Sequence, residues 1–394
     1  GLPEPVQVVQ RHAALPLQWL QVDAQEDVEQ HLNAQVDPAR FRIDVRQAPM
    51  VRALAAHDAR RGRWLLQLPN HHMVLDHTTL ALLVEEIALI QQGRDSELPV
   101  PVPFRRYVAQ ARLGMSQAEH EAFFRQMLGD VDEPTAPFGL LDVQGDGTRI
   151  EEARLPLQAA LAAQIRQQAQ RHGVSAASLF HLAWALALGQ ATGRDDVVFG
   201  TVLFGRMQAG EGAGRALGLF INTLPLRVRL GKRGVAQCLA QTHAALTQLL
   251  HHEHANLSLA QRCSALPGGT PLFSALLNYR YTQRPQEAAD EDKPSAWAGL
   301  QVLGGAERTN YPVTLSVDDQ GEGFELVAQV HEAVAARRVC GFMQAALEGI
   351  VRALAGAGTQ PVCEVASLPA QELADLAAWG GNAQRHADAQ AVHR

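Results

Sequence analysis

The segment His71-His72-Met73-Val74-Leu75-Asp76-His77 gathers three imidazoles and one carboxylate within seven residues. An imidazole titrates near pH ~6.5 and exchanges a proton readily at neutral pH. This is therefore the stretch best supplied for acid–base chemistry. The carboxylate, four residues beyond His72, can fix local geometry through a salt bridge or through backbone N–H groups. A purely structural alternative is an N-cap beside two half-buried histidines. A metal site is the other alternative. However, adjacent His71 and His72 point to opposite sides of an extended segment, and no second ligand group at zinc-like spacing follows, so no metal is expected. A second cluster, His251-His252-Glu253-His254, closes a long helical stretch. Positive imidazoles there suit the helix dipole, and the cluster reads as structural. No G-x-S-x-G elbow surrounds Ser175, Ser178 or Ser274. No G-x-G-x-x-G follows a strand, and the glycine-rich stretch 205–214 lacks the Lys-Ser/Thr pair of a phosphate loop. A serine nucleophile, NAD and ATP drop out.

The segment follows a strand and opens a helix, which places its side chains at a strand end, where clefts between domains commonly form. Strand-like runs at 50–55 and 64–68 lead up to His71. Leu80, Leu83, Val84, Ile87 and Ile90 recur at helical spacing behind it, with Asp76 or Thr78 as N-cap. Upstream are short extended runs at 6–9 and 17–20 and a helix over 23–34. Helices are expected over 104–113 and 117–128. Residues 129–150 break the pattern with clustered Asp, Pro and Gly and read as a domain junction. Beyond it come strands at 153–157, 197–203, 219–228, 272–281, 311–317 and 324–330. Helices are expected over 158–171, 176–190, 235–251, 333–355 and 370–379, with an exposed acidic loop at 284–295. Helices and strands interleave throughout, which makes this a mixed α/β protein with two domains of unequal size.

The chain has 394 residues, 47% of them hydrophobic and 19% charged, enough for two packed cores. Its formal charge of −7 and scattered Lys and Arg argue against nucleic acid. No stretch approaches the ~18 apolar residues of a membrane span and no signal peptide is visible. Cys238, Cys263, Cys340 and Cys363 are far apart, without a C-x-x-C pair, and read as reduced, buried thiols of a cytoplasmic protein. The first residue is Gly1 rather than Met, as in a piece of a longer chain.

The segment at 71–77 resembles the HHxxxDG motif of nonribosomal peptide synthetase condensation domains. Leu217-Gly218-Leu219-Phe220-Ile221-Asn222-Thr223-Leu224-Pro225-Leu226-Arg227 is similar to their GxFVNTxxxR motif, and Val202-Leu203-Phe204-Gly205-Arg206-Met207-Gln208 fits the loop ahead of it. His252-Glu253-His254-Ala255-Asn256-Leu257 resembles the H-x-x-x-P-F type motif. Pro271-Leu272-Phe273-Ser274-Ala275-Leu276-Leu277-Asn278-Tyr279-Arg280 and Asn310-Tyr311-Pro312-Val313-Thr314-Leu315 match two late strands, and Tyr107 fits a fourth motif loosely. The matches run in family order over residues 1–365.

The resemblance implies two chloramphenicol-acetyltransferase-like lobes in a V around a central tunnel. Residues 1–140 would form an incomplete N-terminal lobe, 141–365 the C-terminal lobe, and 366–394 the start of a linker toward an adenylation domain. It implies amide formation between a donor acyl or peptidyl thioester and an acceptor aminoacyl thioester. Both are carried on phosphopantetheine by donor and acceptor peptidyl carrier proteins, so this chain binds no cofactor of its own. Partners are those carriers and the adenylation domain, with no nucleic acid and no membrane. His72 matches the catalytic histidine, while His71, Asp76 and His77 are supporting. Asn222, Thr223, Asn278 and Ser316 fall near the tunnel or substrate. The family's first two motifs are absent, and one of them supplies the arginine partner of Asp76. The carboxylate is thus expected to be unpaired and the isolated chain inactive. His77 replaces the motif's glycine and must tolerate a left-handed turn, placing an imidazole beside the channel. That departure keeps open a non-catalytic interface-type domain that docks a tailoring hydroxylase. An epimerisation domain shares the histidines, but the stretches at 220–225 and 277–280 favour condensation.

Overall fold

The computed structural model describes residues 6–37, 41–145, 147–206, 213–281, 299–305 and 309–380. The acidic loop at 284–295, Met207 and Gln208 with the glycines at 210 and 212, and the tail beyond 380 lie outside the described residues.

The first sheet joins β1 (Leu17–Leu20), β2 (Ala53–Asp58) and β3 (Arg63–Gln67) in that order, β1 parallel and β3 antiparallel to β2. Helix α1 (Val28–Gln35) opens on Asp27, whose side chain accepts the Glu29 and Gln30 N–H groups, and lays Val28 and Leu32 against Leu54, Ala56 and Leu65. This small apolar cluster buries one face of the sheet. The other face exposes Leu17, Trp19, Trp64 and Leu66, and the two indoles meet edge to face at 5.4 Å. Residues 6–9, expected to be extended, pair with no strand.

Helices α2 (His77–Gln91), α3 (Arg105–Leu113) and α4 (Gln117–Leu128) follow. Ser116 and Glu119 close a capping box at the start of α4. Phe124 and Leu128 of that helix, with Val131, pack into the larger core.

That core surrounds a six-stranded sheet of order β4-β9-β8-β7-β5-β6: β4 (Ile150–Pro156), β5 (Asp196–Phe204), β6 (Ile221–Arg229), β7 (Ala275–Tyr281), β8 (Val313–Asp319) and β9 (Phe324–His331). Pro225 sits within β6, where the edge position spares the sheet a missing N–H donor. Helices α5 (Ala159–Arg171), α6 (Ala176–Thr192), α7 (Val235–His251) and α9 (Ala336–Ala355) accompany the sheet. Helix α6 reads Leu-Phe-His-Leu-Ala-Trp-Ala-Leu-Ala-Leu and is apolar on all sides because it lies at the centre, with Trp184 1% exposed. Its one buried imidazole, His181, lies between the Ala177 carbonyl and the Thr201 hydroxyl, and burial pushes it down to about 4.

Contacts to these helices fix the two faces of the sheet. Tyr279 and Phe324 pack on Phe180, and Thr201 meets His181, so these side chains face the helices. Side chains alternate along a strand, so Asn278, Ser316 and Thr223 face the other way. Register sets them side by side: Thr223 pairs with Val202, Asn278 with Ser316 and Ser316 with Val327, and Val202 and Asn278 each follow directly on the Thr201–Leu277 pair that joins β5 to β7.

The six-residue helix α8 (Leu257–Arg262), opened by the Asn256 side chain, is absent from the sequence-based expectation. Fewer than two turns leave no periodicity to read. Helix α10 (Ala370–Gly380) is tied back to α9 by an ion pair between Glu372 and Arg338. Cys238, Cys263 and Cys340 are buried, but Cys363 is exposed, against expectation, at the short 3₁₀ turn after α9. Among the described residues no single helix is long and apolar enough to cross a membrane. Helices α5 and α6 reach that composition only as a pair bent by 109°.

Candidate functional site

Strand β3 runs into Pro69, whose carbonyl accepts the Arg52 N–H, while the His71 N–H donates to the Met50 carbonyl at 2.9 Å. The chain is thus held against residues 50–52 before it turns. The Val74 N–H closes that turn on the His71 carbonyl, and the His71 Nδ1 accepts the Met73 N–H at 3.2 Å. His72 is exposed, and its Nδ1 lies 2.8 Å from the Leu75 carbonyl. A carbonyl only accepts, so Nδ1–H donates, and in the neutral ring the lone pair is on Nε2. The local fold therefore sets tautomer and ring direction together.

Asp76 is 4% exposed and caps α2, with Oδ1 accepting the Thr79 N–H at 2.7 Å. The expected unpaired carboxylate is not what the structure holds. Arg206, from the turn after β5, donates to Asp76 Oδ1 at 2.7 Å, and the Phe220 N–H donates to Oδ2 at 3.2 Å. The partner comes from within this chain, 130 residues downstream. The same guanidinium donates to Thr79 Oγ1 and to the Ala216 carbonyl, each at 2.7 Å, and lies 4.1 Å over the Phe220 ring. Thr79 in turn donates to the Gly218 carbonyl and accepts the Gly218 N–H. One buried clamp thus fastens the turn carrying His72 to the start of β6.

An aromatic layer backs this clamp. Tyr107 of α3 packs on Phe220 at 4.5 Å, and Phe104 packs edge-on against Phe220 at 5.2 Å. Two glycines make room. A Cβ on Gly218, where φ is +153°, would stand 2.3 Å from the Phe104 ring, and one on Gly205 would stand 2.7 Å from the Tyr107 oxygen. Burial pushes the Tyr107 hydroxyl up to about 12.

His77 is the first residue of α2 and is exposed. Phe138 is the one described non-glycine residue with positive φ. His77 therefore needs no left-handed geometry, contrary to expectation: the helix begins one residue after Asp76, and helical φ is negative. Among the described residues no group of three or more His, Cys, Asp or Glu is arranged to hold a metal ion.

The four residues expected near substrate divide. Thr223, Asn278 and Ser316 share the sheet face away from the helices, and the Asn278 Oδ1 is buried without a hydrogen-bond partner. Asn222 faces the helices instead. Its Nδ2 donates to the carbonyls of Glu253 and Ala255, and its Oδ1 accepts the Thr223 N–H. It pins the loop after α7, because neighbouring strand residues cannot share a face.

In the cluster at 251–254 the structure opposes the positive charge that the helix dipole favours on His252 and His254. His252 stacks on Phe123 at 3.9 Å and shares a hydrogen bond of 2.9 Å with His120, Nδ1 to Nδ1. One ring must accept in that bond, so at least one of the two is neutral. Burial lowers His120, His252 and His254 alike. Desolvation opposes the positive charge that the helix dipole alone would favour. Sequence reasoning gave no role to Arg206, Thr79, Phe104 or Glu253. No spacing rule links a residue at 206 to one at 76.

The family model "Condensation domain" matches residues 2–377. Malpinin synthetase of Mortierella alpina is 46% identical over 393 residues, covering 100% of this chain and 5% of that protein. Malpibaldin synthetase of the same organism is 45% identical, covering 94% of this chain and 7% of that protein. The chain thus spans a small fraction of the curated relatives it matches. Among solved structures, the first condensation domain of the CDA synthetase superposes with a TM-score of 0.66 at 19% identity, over 92% of this chain and 82% of that one. The four-domain nonribosomal peptide synthetase AB3403 gives 0.71 at 14% identity, over 92% and 28%. Motif order, sheet topology and a match over almost the whole length agree: this chain belongs to the condensation-domain family.

Proposed function

We propose that this chain catalyses amide formation between two carrier-bound thioesters, with His72 at the reacting centre. The observation that carries this reading is the His72 turn. Its exposed imidazole has Nδ1–H committed to the Leu75 carbonyl, and the buried Asp76–Arg206 clamp stands directly behind it. The acceptor's α-amine attacks the donor's thioester carbonyl. A C–N bond forms, the C–S bond breaks, and the thiolate of the donor's phosphopantetheine leaves with a proton. Phosphopantetheine belongs to the two peptidyl carrier proteins, which dock from opposite ends of a passage between two lobes set in a V. An adenylation domain of the same synthetase is the third partner.

His72 Nε2 accepts a hydrogen bond from the attacking ammonium or amine. As a general base it is worth about 10²–10⁴-fold. Holding two tethered reactants in line supplies about 7–11 kcal/mol, the larger effect, because a thioester needs little activation. Orientation therefore leads and proton removal assists. His71 and Asp76 support the turn. Thr223, Asn278 and Ser316 offer a row of short polar groups to a substrate arm, whereas Asn222 supports the strand they stand on.

The test is reconstitution. Donor- and acceptor-loaded carriers are combined with the intact module containing this chain, and dipeptidyl thioester on the acceptor carrier is followed by mass spectrometry. Product appearance at a rate above the carriers alone is expected. Its absence, or appearance of solvent deuterium at the α-carbon without an amide, overturns the assignment.

His77 stands exposed beside this centre, so His77→Gly is expected to shift the ratio of kcat/KM for a bulky over a small acceptor roughly tenfold, near the low end of what one pocket side chain is worth. An unchanged ratio would make the imidazole neutral to substrate choice.

A further inference from the structure

Beyond the aromatic layer a buried carboxylate stands beside a half-buried imidazole. Glu253 is 2% exposed, and its Oε1 has no hydrogen-bond partner; the same holds for both ring nitrogens of His254. Oε1 lies 3.8 Å from Nε2, too long for a hydrogen bond. Buried polar atoms left in this state cost stability, so a role other than stability should account for them. The pair is in line with the site. The His254 ring meets Tyr107 edge-on at 5.2 Å, and Tyr107 packs on Phe220. The Phe220 N–H in turn holds Asp76, and its ring lies under Arg206. Little slack exists along this path, since the Tyr107 hydroxyl already abuts Gly205. The Glu253 carbonyl is itself fixed by Asn222.

We propose that the Glu253–His254 pair positions the His72 turn through Tyr107 and Phe220, and does so only while Glu253 keeps its proton. The inference rests on amide formation at His72 as argued above. Burial pushes the Glu253 carboxyl up to about 7, so it becomes a carboxylate just above neutral pH. His254 is lowered by burial and is a neutral imidazole there, offering no counter-charge. The other groups facing the pair do no better. Tyr107 from α3 keeps its phenolic proton, and His120 from α4 is lowered. Arg206 and Asp76, beyond Tyr107, are already joined to each other. An ionised Glu253 must therefore be hydrated, and water entering beside His254 displaces the edge on which Tyr107 rests. The sign of the stability effect follows from linkage. A carboxyl raised in the folded state contributes stability that is complete below its ordinary value near 4.5 and is lost as pH climbs through about 7.

Glu253→Gln keeps the shape and removes the ionisation. Single-turnover amide formation is compared in wild-type and E253Q modules from pH 6 to 8, as a ratio at each pH so that titration of His72 and of the amine cancels. The ratio of variant to wild type is expected to rise about tenfold between pH 6 and 8, as for one group titrating at about 7. Hydrogen exchange provides a readout free of turnover. Protection of the Phe220 amide, and of residues 71–79, should fall in the wild type relative to E253Q over the same range. Flat ratios in both measurements overturn the proposal. So does a variant that fails to fold at pH 6, where glutamine reproduces the protonated side chain. If the protection ratio moves while the wild type forms no amide at any pH, the positioning link stands and the condensation reading falls. If amide forms and neither ratio moves, the positioning proposal falls alone.

Discussion

His72→Ala is expected to lower single-turnover amide formation by about 10²–10⁴-fold in the intact module while carrier docking persists. The fall should lie in chemistry, not folding. The ring is exposed, so its removal opens no cavity in the core, although the Leu75 carbonyl loses the Nδ1–H donor. Substitution by asparagine separates the two roles assigned to the ring. An amide still orients an amine but does not take its proton, so an activity between wild type and alanine measures orientation, and one equal to alanine assigns the effect to proton transfer. Rates come from quenched single turnovers with preloaded carriers, and docking from carrier titrations. Condensation by the alanine variant at an undiminished rate would remove His72 from the mechanism.

Arg206→Ala is expected to be the most destabilising change near the site. The guanidinium and Asp76 are 10% and 2% exposed at the side chain. Removing one partner of such a pair strands a buried charge and costs about 3–5 kcal/mol. Lysine should rescue little. Two of the guanidinium's nitrogens serve Asp76, Thr79 and the Ala216 carbonyl, and its flat face lies on Phe220, which a single ammonium does not reproduce. Pairing the change with Asp76→Asn removes the stranded charge, so the double variant should recover part of the loss, as a double-mutant cycle in urea would quantify. Arg206→Ala that unfolds at the wild-type urea midpoint would mean that the clamp carries no net stability.

Much of this architecture is legible in the sequence because it is local. The N-cap at Asp76, the bounds of α4 and α7, and the apolar strands of the larger sheet follow from periodicity, capping residues and glycine breaks within a few residues of each other. What escapes is joined across the chain. Arg206 reaches Asp76 across 130 residues, and the sequence assigned that carboxylate a partner from elsewhere. The motif pair Asn222-Thr223 is legible as a pair, but not the fact that its members look to opposite sides of the sheet, which needs the contacts of Tyr279, Phe324 and Thr201 with α6. The charge state of the histidines at 252 and 254 escapes for a related reason. A helix end is visible in sequence, whereas the desolvation that overrides its dipole depends on Phe123, Tyr107 and His120 arriving from other helices.

The row formed by Thr223, Val202, Asn278, Ser316 and Val327 has a consequence for grafting between synthetases. It exists by parity: each strand offers every second residue to that side. Exchanged segments of β5, β6, β7 or β8 that add or drop an odd number of residues turn Thr223, Asn278 or Ser316 inward and push Leu224, Tyr279 or Val317 out. Swaps that conserve the count keep the same wall and change only its lining, which makes strand length the first rule for remodelling such a domain.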